Sequence, residues 1–382
     1  MKMMFIPAIV ALLSCSALAK PSAFGFAPPS ESFVYAPYGV ESVMAMAALG
    51  AKGTTEKEIL HVFPDLAKKN ALVSQTEGTD FRLSIANSAW IKKSFSLLPA
   101  YSSALTSKFG ATITPLEFKD PVADAAQMNA WVEKNTQGKI KKLIEASAID
   151  DSIRLVLVNT LYFKAKWESP FKSESTLADD FHPEKGKAFK ADFMNQTHSY
   201  SVIRRKNYDT VILPYSGRHQ TLWLTLPHPG TTLEKIEANY EENALEKSYA
   251  TDRNASKATS VQLSLPKFSI SSNLSLVPYL QKRGVETLFD AGSADLSGIS
   301  AEKPLYVTGI IQKAVIDLDE EGTEAAAATA MTLGGMAATF RETPPLPLIF
   351  DRPFAYLLRD EMSGKILFMG RMARPPEAKN RK

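Results

Sequence analysis

The sequence predicts an α+β protein folded as one large domain. Three observations carry this. Apolar residues recur at helical spacing near the start of the chain, short alternating segments follow from residue 81 onward, and no Gly/Ser/Pro-rich linker separates the two. Length alone, at 382 residues, suggests two or three domains and leaves room for a sizeable core, but without a linker one domain is expected. A net charge of +3 with no long basic run gives no case for nucleic acid. There is no internal repeat.

In order, residues 1–19 read as a secretory signal: Lys2, an apolar stretch over 3–13, and the small-x-small site Ala17-Leu18-Ala19. The mature domain is then 20–382, secreted and extracellular. The only cysteine, Cys15, lies inside the signal, so the mature chain has no disulfide. Leu12-Leu13-Ser14-Cys15 also resembles a bacterial lipoprotein box, so a periplasmic protein or one lipid-anchored through Cys15 is the alternative. Nothing later is apolar for long enough to span a bilayer. Val40, Val43, Met44, Met46, Ala47 and Leu49 predict a buried helix ended by Gly50 and Gly53, with Thr54, Thr55 and Glu58 placed to open the next. Residues 81–92 alternate as a strand. Residues 123–143 predict an amphipathic helix with Met128, Trp131, Val132, Ile140 and Leu143 as its stripe, and 154–167 predict a long β-rich strand. Short strands follow at 189–200, 210–215, 221–227 and 261–270, and a further one at 314–319.

Residues 320–343, EEGTEAAAATAMTLGGMAATFRET, contain almost no large apolar side chain. Ala-rich composition favours a helix over 324–331, with Thr323 as its cap. Read with period two, Thr323, Ala325, Ala327, Thr329, Met331 and Leu333 form one face of a strand, and Glu324, Ala326, Ala328 and Ala330 lie on the other. Gly322 lacks a Cβ and can act as the swivel. A segment able to live as an exposed loop or as a strand is a candidate two-state element, and the plainer alternative is a low-complexity surface loop.

The surroundings decide between them. KAVIDLDEEGTEAAAATA (313–330) resembles the hinge of the reactive-centre loop in inhibitory serpins, and FDRPFAYLLRDEMSGKILFMGRMARP (350–375) resembles the serpin C-terminal strand signature. The resemblance extends over about 34–375. It implies the serpin fold, with a large central mixed sheet, further sheets, eight or nine helices and an exposed loop over about 320–349. Two departures stand out. Residues 21–32 replace an N-terminal helix, and 64–80 are short and polar where helix D lies. With only Lys68 and Lys69 there, no heparin-like cofactor is expected.

The resemblance also implies a mechanism. A serine protease cleaves the loop, an acyl-enzyme forms, and the freed hinge (Glu320, Glu321, Gly322, Thr323, Ala325, Ala326, Ala327, Ala328 and Thr329) inserts into the central sheet. Counting from Glu320 places the reactive bond at Met336–Ala337, which suits elastase-, chymotrypsin- or subtilisin-like proteases. The stretch 322–350 is longer than the family norm, which leaves Phe340 or Arg341 as alternative bait, Arg341 implying a trypsin-like target. Asn159 and Gln312 fall in the shutter, where the sheet parts, and Trp167 in the breach, where insertion begins. Gln312 stands where inhibitory members carry a histidine and cannot charge, so a pH-sensitive shutter is not expected. The expected protein is a monomer. Inhibition of a cysteine protease by the same trap, or a non-inhibitory carrier or chaperone, are the alternatives.

No enzyme signature accompanies these features. The chain lacks G-x-S-x-G, Walker A, H-E-x-x-H and a strand-following G-x-G-x-x-G. His61, His182, His198, His219 and His228 show no metal-ligand spacing, so neither metal nor cofactor is expected. The pairs Glu320/Glu321 and Asp360/Glu361 fall on turns and read as solvated.

Overall fold

Two mixed β-sheets with one helix pressed between them organise the molecule. The computed structural model describes residues 27–68, 76–77, 81–136, 138–237, 255–322 and 344–378. Its strands are β1 (Phe33–Tyr35), β2 (Thr76–Glu77), β3 (Phe81–Lys92), β4 (Thr112–Leu116) and β5 (Leu155–Ala165). They continue with β6 (Leu177–Phe181), β7 (Phe189–Arg204), β8 (Tyr208–Pro214), β9 (Gln220–Pro227) and β10 (Lys257–Pro266). The last are β11 (Phe268–Ser275), β12 (Val307–Leu318), β13 (Leu346–Ile349), β14 (Phe354–Asp360) and β15 (Ile366–Met372). Six α-helices lie among the described residues: α1 (Pro37–Gly50), α2 (Gly53–Val62), α3 (Pro99–Phe109), α4 (Pro121–Asn135), α5 (Leu233–Glu237) and α6 (Val277–Lys282).

The central sheet has six strands in the order β11-β12-β5-β3-β2, with β4 also on β3. The second sheet runs β1-β15-β14-β9-β8-β7-β10-β13, with β6 on β7. β5 (LVLVNTLYFKA) is rich in β-branched and aromatic residues and buried on both faces, which suits a strand at the middle of a covered sheet. Helix α1 begins with Pro37 in its first turn, where a missing N–H does no harm. It lies against β5 of one sheet and β15 of the other and buries Val40, Val43, Met44, Met46 and Ala47. Helix α4 covers the outer face of the central sheet through Ala125, Met128 and Val132, packed with Trp90, Val156, Val158 and Val315.

Several sequence expectations shift. The helix expected over 123–143 stops at Asn135: the Thr136 hydroxyl bonds back to Val132 O (2.8 Å) and receives the Ile140 N–H (3.2 Å), and Gly138 takes a positive φ of 74°. Ile140 and Leu143 keep their burial from the segment that follows. The strand expected over 261–270 divides after Pro266 into β10 and β11, which belong to different sheets, with Lys267 at the corner. Gly53 opens α2 rather than closing α1, and no side chain caps its start. Glu58 instead accepts the N–H groups of Glu286 (2.9 Å) and Thr287 (2.8 Å). The strand read at 314–319 starts earlier, at Val307. Cys15 and the signal expected over residues 1–19 lie outside the described residues.

Candidate functional site at the mouth of the central sheet

β12 and β5 are neighbours and run parallel. Their ladder pairs Val307 with Leu155, Gln312 with Asn159 and Val315 with Tyr162, and no pairing is formed beyond that point although both strands continue to Leu318 and Ala165. The two chains meet again above the lapse, where Lys166 and Gly322 form an antiparallel bridge and Trp167 N–H donates to Glu321 O (2.9 Å). The sense reverses because the chain leaving β12 turns back at once. Asp319 N–H donates to Gly322 O (2.9 Å), and the Asp319 carboxylate accepts the N–H groups of Glu321 (3.1 Å) and Gly322 (3.2 Å). Gly322 has φ +131°, and a Cβ there would come within 2.2 Å of Ala165 O and 2.8 Å of Trp167 N. Only glycine fits.

Glu320, expected to be solvated, is buried at 8% exposure. Thr176 Oγ1 donates to Oε1 (2.7 Å), Lys267 Nζ pairs with Oε2 (2.7 Å), and the Glu320 carbonyl accepts the Phe171 N–H (2.8 Å). Burial pushes the Glu320 carboxyl up, but the bonds from Lys267 and Thr176 outweigh it and hold the group below its ordinary value. Burial instead leaves the neighbouring Asp319 carboxyl above its ordinary value. Trp167 is buried, stacks on Tyr215 (4.3 Å between centroids, 14° between planes) and donates Nε1–H to Asp319 O (3.0 Å). The Asp360/Glu361 pair is only partly solvated. Glu361 accepts bonds from Arg359 (3.1 Å) and Thr221, and Asp360 accepts one from Gln220 (3.1 Å).

Midway down the seam the groups are neutral amides. Gln312 and Asn159 face each other in register and are both fully buried. The Gln312 amide is spent on the residue that precedes α1: Oε1 accepts Ala36 N–H (2.8 Å) and Nε2 donates to Ala36 O (2.7 Å). Asn159 Nδ2 donates to Asn87 Oδ1 (2.9 Å), which also accepts the Ser42 hydroxyl (3.2 Å). Asn159 Oδ1 and Thr160 Oγ1 are buried with no hydrogen-bond partner among the described residues. Gly39 lets α1 approach this closely, since a Cβ there would lie 2.0 Å from Asn159 Oδ1 and 2.8 Å from Gln312 Nε2.

The structure thus brings Trp167, Glu320, Glu321 and Gly322 together at one end of the seam, and Asn159 with Gln312 at its middle. Thr323, Ala325 to Ala328, Thr329, Met336, Ala337, Phe340 and Arg341 lie outside the described residues. The chain is described again from residue 344 and joins the second sheet as β13, parallel to β10. Sequence reasoning missed Lys267, Thr176, Asp319, Asn87 and Gly39. Asn87 had a signal, being an asparagine in the middle of an apolar strand, where an amide needs a partner. Lys267 and Thr176 had none, because their closeness to Glu320 exists only once the sheets are assembled.

A closed parallel seam with a glycine-swivelled turn at one end defines a sheet built next to a segment that leaves it. The family profile described as Serpin (serine protease inhibitor) matches residues 22–375. Leukocyte elastase inhibitor A of Mus musculus is 32% identical over 364 residues, covering 91% of this chain and 94% of the relative. Iripin-8 of Ixodes ricinus is 33% identical over 356 residues, covering 87% and 86%. Among solved structures, native protease nexin-1 with heparin superposes with a TM-score of 0.81 at 28% identity, covering 91% of this chain and 94% of that one. Thyroxine-binding globulin in complex with thyroxine gives 0.80 at 25% identity, with coverage of 91% and 94%. The chain belongs to the serpin family, a family named for protease inhibition and not for an enzymatic activity.

Proposed function

We propose that this serpin traps a serine endopeptidase as a suicide substrate and is exported to do so. The observation that carries the proposal is the seam itself. A chain that leaves β12 and turns back at Gly322 runs antiparallel to β12. Since β5 is parallel to β12, a returning strand placed between them makes an antiparallel ladder with both, at least as favourable per residue as the parallel one it replaces. The small residues Ala325 to Ala328 and the β-branched Thr323 and Thr329 offer little resistance to such entry. The likeness to elastase inhibitors and the bait residue Met336 favour an elastase-, chymotrypsin- or subtilisin-like target.

The test mixes the purified protein with a panel of serine proteases. The expected outcome is an SDS-stable complex, cleavage mapped to Met336–Ala337 and, after cleavage, a sharp rise in melting temperature. Thr323→Arg should abolish the complex while leaving cleavage intact, because a guanidinium on the inward face must be desolvated to enter. Cleavage without a complex in the unmodified protein would mark it as a substrate and a non-inhibitory member.

A further inference from the structure

The loop joining β8 to β9 has a conformation that its own closure does not require of an arginine. Tyr215 N–H donates to Gln220 O (3.1 Å), Arg218 N–H donates to Tyr215 O (2.9 Å), and both Gly217 (φ 80°) and Arg218 (φ 57°) sit at positive φ. Glycine adopts this region freely, and asparagine or aspartate tolerate it, whereas a long side chain there is disfavoured. Arg218 gains nothing from burial, its side chain being 74% exposed. What it does make is a charge-assisted bond from Nε to Glu168 Oε1. An exposed pair of this kind adds little stability, so stability does not account for the strained residue. Position does.

Glu168 follows Trp167, and residues 166–168 are gripped from both sides. Toward the hinge, Lys166 bridges Gly322, Trp167 N–H bonds Glu321 O, and its ring N–H bonds Asp319 O. Toward the hairpin, Ser216 N–H donates to Lys166 O (2.8 Å), Glu168 N–H donates to Pro214 O (3.0 Å), and Tyr215 stacks on Trp167. The hinge extends the central sheet and the hairpin belongs to the second sheet, so residues 166–168 form a strip between the two.

We propose that Arg218 is a positioning residue for entry of the hinge: it fastens residues 166–168 to the β8–β9 hairpin, so that the mouth parts between Trp167 and Glu321 and not behind Trp167. This rests on the inhibitory reading. When the hinge moves, the strip stays with the second sheet and presents a fixed edge for the incoming strand. Without the fastening, the strip follows the hinge, entry slows, and the acyl-enzyme is hydrolysed more often before it is trapped. A strained residue held at a moving part is the kind of observation from which such a role is inferred.

Arg218→Gly relieves the backbone and removes the guanidinium, and Arg218→Lys keeps the charge. Two measurements decide: the inhibitor cleaved per protease trapped, and hydrogen exchange at the Trp167 and Glu168 amides without protease. Arg218→Gly should raise the cleaved-to-trapped ratio severalfold and speed exchange at Glu168, with the melting temperature unchanged or higher, and Arg218→Lys should restore most of both. A wild-type ratio in Arg218→Gly overturns the proposal, whether or not exchange changes. So does a fall in melting temperature with no change in ratio, which marks a merely structural role. A wild-type protein that traps no protease overturns the inhibitory reading itself. The exchange measurement needs no protease and tells that failure from failure of the Arg218 fastening.

Discussion

Midway along the β5/β12 seam, at Gln312 and Asn159, the groups are neutral and fully buried, while at its mouth Glu320, Lys267 and Asp319 hold the chain with charges that water partly reaches. The difference sets the order in which the seam can open. When the mouth parts, Lys267 and Glu320 exchange each other for solvent, a nearly even trade for a pair whose lysine is 36% exposed. When the middle parts, the backbone groups of the Gln312/Asn159 stretch lose their ladder partners in a fully buried place, where leaving them unpaired is costly. Asn159 Oδ1 and Thr160 Oγ1 already lack partners in the closed seam. Each such orphan costs about 1–3 kcal/mol, so the closed seam carries a local cost at its middle. Opening therefore costs less at the mouth than at the middle.

The hardest test of this contrast is Gln312→Leu. The side chain keeps its bulk but leaves the Ala36 N–H buried without a partner, while Ala36 O keeps the Gly39 and Val40 N–H groups, and the expected loss is about 1–3 kcal/mol, read as a lower urea midpoint at fixed incubation time. A loss no larger than that of any mouth variant would erase the distinction. Next comes Glu320→Gln, with a loss of about 1 kcal/mol or less once the exposure of Lys267 is discounted. Here the sign with pH is fixed. The Glu320 carboxyl is held below its ordinary 4.5 in the folded protein, so its contribution is complete above about pH 4.5 and drains away as pH falls through the folded-state value. The variant should therefore differ from the parent at neutral pH and converge with it in acid, in melting curves recorded across that range. Gln312→Leu should show the same deficit at every pH. Smallest is Trp167→Phe, which keeps an aromatic ring against Tyr215 but loses the bond to Asp319 O. We expect less than about 1 kcal/mol, with faster hydrogen exchange at residue 167 as the sharper readout.

The middle of the seam was more legible in the sequence than its mouth. Asn159 lay inside the strand expected over 154–167, and the resemblance placed both it and Gln312 where the sheet parts. The partner chosen by Gln312 was hidden, because Ala36 offers only its backbone. At the mouth, Gly322 was readable as a swivel, since the absence of a Cβ is a property of the residue itself. Glu320 was misread as solvated because the groups that bury it, Thr176 and Lys267, come from distant strands that periodicity cannot bring together. The same limit applies to β10 and β11: one alternating run looked like one strand, and the corner after Pro266 appears only when two sheets compete for it. The end of the 123–143 helix was hidden differently, the Thr136 hydroxyl competing locally for the helical backbone.

That corner has one more consequence. β10 carries β13 on its flank, with Val261 opposite Leu346, and one residue past its end Lys267 grips Glu320. Both footings of the stretch between Gly322 and Leu346 are thus pinned to a single extended run of chain, roughly 20 Å apart at strand spacing. β10 serves as a ruler. The distance between the footings is set by its length and not by whatever is strung between them. A stretch grafted there from another member of the family, longer or shorter, would find the same two posts the same distance apart, and an engineer could vary the one without resetting the other.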